Sequence, residues 1–159
     1  MLQERIEGKW LACFRRVFAL NGIKTKTTVT VISETQSRPV LIHLSELALY
    51  DLGADFCMIQ MPTPPQTAPV PVKGTGTSMA VQQNRAAIEA MKQCEVIVDC
   101  TAEGMIHAAE WPEIEAAGAR ILVVTNEHPE ILERTEPKAE LAPKVDLGVQ
   151  MLSEAKEMR

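Results

Sequence analysis

EVIVDCTAEGMIHAAEWPEIE, residues 95–115, is the stretch whose reading decides the fold class. Val96-Ile97-Val98 is an apolar, β-branched run and reads as a buried strand. It leads into Asp99, Cys100 and Thr101, then a turn around Glu103 and Gly104. A helix-like segment with Ile106, His107, Glu110 and Trp111 follows. A buried strand that ends in polar groups and turns into a helix is where open α/β sheets place their ligands.

The same rhythm recurs upstream. Residues 3–21 repeat Ile6, Trp10, Cys13, Phe14, Val17 and Phe18 at helical spacing, which predicts an amphipathic helix stopped at Asn21-Gly22. Thr27 to Ile32 reads as a strand ending in Ser33-Glu34-Thr35. Ser37 is the expected cap of a helix that carries Pro39 in its first turn and ends at Gly53. Asp55 to Met61 is a second strand. Residues 62–73 hold five of the ten prolines and predict a long, mobile, extended loop. A helix over about 79–93 is expected next, with Ser78 as its cap.

Downstream of Cys100, residues 103–117 predict a helix interrupted by Pro112 and stopped by Gly118. Arg120 to Val124 is a fourth strand, and 130–134 a short helix. Residues 137–143 are linker-like. A last helix over 143–158 shows Val145, Val149, Leu152 and Ala155 on one side. Strands alternating with helices imply parallel pairing, and near-continuous apolar strands imply a sheet covered on both faces. The prediction is an α/β fold: a three-layer Rossmann-like or flavodoxin-like domain over residues 1–159, with a mostly parallel sheet of about four strands. Strand order is not legible at this level.

Composition narrows the function classes. The 159 residues fit one domain with a real core. Aromatics are only 4%, so the core must be aliphatic and Met-rich. A net charge of −5 argues against a nucleic-acid binder. No run of about 18 apolar residues appears, so no membrane span is expected. The mixed charges of MLQERIEGKW do not read as a secretion signal. Cys13, Cys57, Cys94 and Cys100 form no CxxC pair and are expected to be buried, reduced thiols of a cytoplasmic protein.

A parallel sheet would bring the strand ends to one edge: Ser33, Glu34 and Thr35; Pro62 and Thr63; Asp99, Cys100, Thr101 and Glu103; Asn126, Glu127 and His128. KGTGTS, residues 73–78, has the look of a phosphate loop but places Lys73 before the glycines, so a plain turn is the better reading. Of the histidines, His43 lies in a helical pattern between Ile42 and Leu44. His107 and Glu110 could share a helical face, which is too few ligands for a metal site. Imidazoles as a class suit acid or base work near neutrality. For His107 that reading stands beside the plainer one of a structural histidine. No serine has a nucleophile-elbow context.

The run Asp99 to Ile114, together with Gly118-Ala119-Arg120 and Thr125 to Glu130, resembles the N-terminal half of the 2,5-dihydroxypyridine 5,6-dioxygenases, relatives of the M29 aminopeptidases. The GTGTS loop and the closing LSEAKEMR are similar too. The resemblance implies a cytoplasmic non-haem Fe(II) enzyme that opens a small aromatic substrate with O2, as in nicotinate and pyridine degradation. It implies that the iron ligands lie in a C-terminal domain absent from this chain, so that no metal is bound here and turnover by this chain alone is not expected. By position it implies His107 as the acid/base group and Ile106, Thr101 and Glu103 as substrate-binding residues. An M29-type aminopeptidase domain and a non-catalytic binding or assembly module stand as the alternatives, with a homo-oligomer among the partners considered.

Overall fold

A computed structural model of the chain describes residues 5–65, 78–82, 84–124 and 126–157. The four strands are β1 (Thr28–Glu34), β2 (Asp55–Met61), β3 (Val96–Asp99) and β4 (Arg120–Val123). They form one sheet in the order β2-β1-β3-β4, with every pairing parallel. The helices are α1 (Gly8–Leu20), α2 (Pro39–Leu52), α3 (Arg85–Met91), α4 (Trp111–Ala116), α5 (Pro129–Arg134) and α6 (Ala142–Glu154). The expected three-layer α/β arrangement is therefore present.

β1 shows why the layers form. Its side chains alternate between two cores, as a strand's period of two dictates. Val29 and Val31 join Phe14, Phe18, Leu41, Leu44, Val96 and Val98 under α1 and α2. Ile32 faces the other way and meets Ile88, Met91, Ile97, Met105 and Ile114 under α3 and α4. The register Ile32↔Asp99 leaves β1 running two residues past its last partner on β3. Glu34 thus overhangs the end of β3, on the same face as Ile32 and Asp99.

Some expected elements change. The first helix begins at Gly8, and Ile6 lies outside it. The helix after the proline loop is confined to α3, because the Asn84 side chain accepts the Ala87 N–H and caps the chain there. Ser78 therefore caps no helix. Ser37 does not cap α2 either; its hydroxyl accepts the Glu34 N–H at 2.8 Å. The 103–117 helix shrinks to α4, with turns over the residues before it. β2 lies at the sheet edge, so Cys57 is exposed, contrary to expectation, and Met58 is 41% exposed. The expectation of a mobile loop over 62–78 falls largely on 66–77, outside the described residues.

α6 differs from the other long helices. None of its residues is buried, and Val149 and Leu152 are 61% and 66% exposed. Among the described residues, no helix is long and apolar enough to cross a membrane. Burial separates two substitutions of the same kind. Leu44→Ala, in the core beneath α2, is expected to cost about 2–5 kcal/mol in urea unfolding. Leu152→Ala on α6 should stay within about 0.5 kcal/mol of wild type. Equal costs would show that α6 packs on the domain.

Candidate active site

The crossovers that follow β1 and β2 run in opposite directions along the sheet. α2 leads outward to β2, whereas β3 pairs on the other side of β1. The carboxyl ends of β1 and β3 therefore flank the topological switch point, where open α/β sheets bind ligands. Here that crevice holds the turn over residues 101–105. Asp99 organises it. One carboxylate oxygen accepts the Thr101 N–H at 2.9 Å and the Thr101 hydroxyl at 2.6 Å. The other accepts the Met105 N–H at 2.7 Å. Thr101 Oγ1 in turn accepts the Gly104 N–H at 3.1 Å. Gly104 has φ 73, a left-handed conformation that glycine adopts without a Cβ clash. From β1, Glu34 accepts the Ala102 N–H at 2.7 Å across 68 residues of sequence. Asp99, Thr101 and Glu34 are all buried.

Other bonds join the remaining strand ends. Thr63 donates its N–H to Thr35 Oγ1, and Gln36 donates its own to Thr63 Oγ1, both at 3.0 Å. Asn126 Oδ1, after β4, accepts the Arg38 N–H at the start of α2 at 2.8 Å.

The sequence-predicted site residues occupy different levels of this structure. Thr101 lies fully buried, its hydroxyl engaged by Asp99 and Gly104. Glu103 is half-buried in the turn. Ile106, 46% exposed, and His107, also exposed, emerge just past the turn. His107 stands on no helix, so it shares no helical face with Glu110. His43 is exposed on α2. His128 has a structural position: its Nδ1 accepts the Glu130 N–H at 3.3 Å, and its ring meets Trp10 edge-on at 5.0 Å.

Sequence reasoning placed Glu34 and Asp99 at the edge but missed what they do. The available signal was a carboxylate closing each of two apolar strands, TVTVISE and VIVD. Burial pushes the Cys100 thiol up to about 12, which removes it as a nucleophile near neutral pH. Among the described residues, no group of three or more His, Cys, Asp or Glu side chains could hold a metal ion. The arrangement can therefore present an imidazole beside an apolar side chain on a turn with a buried anchor. The GTGTS glycines lie outside the described residues.

A parallel α/β domain with a histidine-bearing turn at its switch point is the class that fold and site define. The model of the 2,5-dihydroxypyridine 5,6-dioxygenase (NicX) family matches residues 9–159. This chain belongs to that family. Among solved structures it is similar to 2,5-dihydroxypyridine dioxygenase from Pseudomonas putida KT2440, with a TM-score of 0.83 and 23% identity. That likeness covers 92% of this chain and 42% of the other, so this chain spans less than half of that protein. No curated protein sequence matches it.

Asp99 generates a pH prediction. Burial pushes its carboxyl above the ordinary value. The Thr101 and Met105 bonds pull it down, and the charge on Glu34 adds to the rise. A carboxyl raised by folding stabilises the folded state fully below its ordinary pKa, and loses that contribution as pH rises through the folded value. Asn at position 99 lacks this titration. The stability advantage of wild type over Asp99→Asn, from urea unfolding at each pH, is expected to shrink as pH rises above the ordinary carboxyl value of about 4. An advantage that grows with pH would show that the hydrogen bonds outweigh burial.

Proposed function

We propose that this chain is the substrate-side domain of a ring-cleaving dioxygenase that acts on a dihydroxypyridine. The observation that carries this reading is the exposed Ile106-His107 pair, held past a buried turn at the β1–β3 switch point, in a chain of this family. In this reading His107 takes up or returns the proton of a ring hydroxyl at an imidazole nitrogen. Ile106 packs on the ring face, and Glu103 contributes a polar group at the rim. Thr101, buried, acts on substrate only by holding the turn.

The family resemblance implies Fe(II). The described residues offer no ligand group for it, so we assign its ligands to a second, C-terminal domain and derive no step through the metal. Residues 1–159 then form one domain of a two-domain enzyme, working in the cytoplasm. The 42% coverage of the solved relative supports this, as do the exposed apolar residues of α6. The chain alone should not consume substrate.

The test uses a two-domain protein that carries this domain. His107→Ala should lower kcat/KM on 2,5-dihydroxypyridine by about 10²–10⁴-fold, the usual worth of a positioned acid or base. An unchanged rate removes the acid/base role. Turnover of aminoacyl substrates in place of hydroxypyridines would move the protein to the aminopeptidase alternative.

A further inference from the structure

The turn that carries His107 is held by acceptors on two different strands. Its Thr101, Ala102, Gly104 and Met105 N–H groups end on Asp99, Glu34, Thr101 Oγ1 and Asp99 respectively. These are side-chain acceptors, and none lies in the exposed part of the segment. A turn satisfied this way has its shape imposed from beneath, because a buried N–H left without its acceptor bears the full cost of its desolvation. Glu34 is the component from outside the segment. It reaches Ala102 only because β1 runs two residues past Asp99 in the register.

We propose that Glu34, acting with Asp99, is a positioning residue: it fixes the orientation of the turn over 101–105 and so the place of the His107 imidazole. Neither carboxylate touches substrate in this assignment. Its catalytic consequence rests on the reading of His107 given above, while its structural consequence does not.

The experiment has two arms. In the first, this chain is labelled with ¹⁵N and amide exchange is measured for wild type, Glu34→Ala and Glu34→Gln. Glu34→Ala should speed exchange of the Ala102, Gly104 and Met105 amides by about tenfold or more, which is the effect of about 1.4 kcal/mol. Val31 and Val98 in the sheet should be unchanged. Gln, whose side-chain oxygen can still accept the Ala102 N–H, should restore protection. Unchanged turn amides, or equal loss at Val31 and Val98, would overturn the proposal.

In the second arm the same variants are made in a two-domain protein carrying this domain. Glu34→Ala should lower kcat by about 10–100-fold with little change in KM, as expected for a misplaced catalytic group. Gln should recover most of the rate. If His107→Ala abolishes turnover while Glu34→Ala keeps the wild-type kcat, positioning fails and the role of His107 survives. If the exchange results hold but His107→Ala is harmless, the anchoring stands and the proposed role of His107 falls.

Discussion

Two buried carboxylates hold the turn after β3 by its own N–H groups, and the candidate site depends on that interaction. A buried carboxylate is costly unless hydrogen bonds satisfy it. Asp99 accepts three bonds from the turn and Glu34 a fourth. The dependence is mutual. The turn needs acceptors that the strands cannot supply from their backbones, and the carboxylates need donors that only a tightly folded turn can bring so close. Removing either side leaves the other buried and unpaired, which is why neither carboxylate can be treated as a passive strand terminus.

The strand order explains why such a device sits here. At a switch point the connections on either side of the gap go to opposite faces, so backbone alone does not fill it. In this chain α2 packs on one face and α3 on the other. The space between the ends of β1 and β3 is taken by the 101–105 turn, and the segment beyond it is displaced outward. His107 is exposed for that reason. The separation suits the role proposed above for His107: groups that fix geometry are buried, where their bonds are strong, and the imidazole is left accessible.

Much of this fold was legible from local signals. Runs of apolar and β-branched residues marked the four strands, and Pro39 and Gly53 bounded α2 within a residue. The helix-boundary errors share a physical source, side chains competing with the helix for backbone groups. Asn84 delayed α3, and Asp99 with Gly104 kept residues 103–105 out of the helix expected over 103–117. Exposure of Cys57 and Met58 follows from the edge position of β2, and that position depends on a strand order no local pattern encodes. The Glu34–Ala102 bond is hidden for the same reason. Its two ends meet only once β1 and β3 are known to be neighbours with that register. Thr101 shows the limit of reading polar residues at strand ends as ligand contacts, because its hydroxyl is buried within the turn.

α6 bears on the other half of the problem. A helix of 13 residues is marginal in water without tertiary contacts. This one carries Val145, Val149 and Leu152 along one side, with Leu147 and Met151 on another, all exposed. One apolar flank would be met by a single packing partner; two flanks call for a helix set between bodies or wrapped by one. The described residues cover neither flank. A second domain of the kind proposed above would supply what α6 lacks. The 101–105 turn needs no such help, because its anchors lie within this chain. The two features therefore differ in what they require: the bonds that hold the 101–105 turn lie within this chain, while the apolar flanks of α6 meet no packing partner among the described residues.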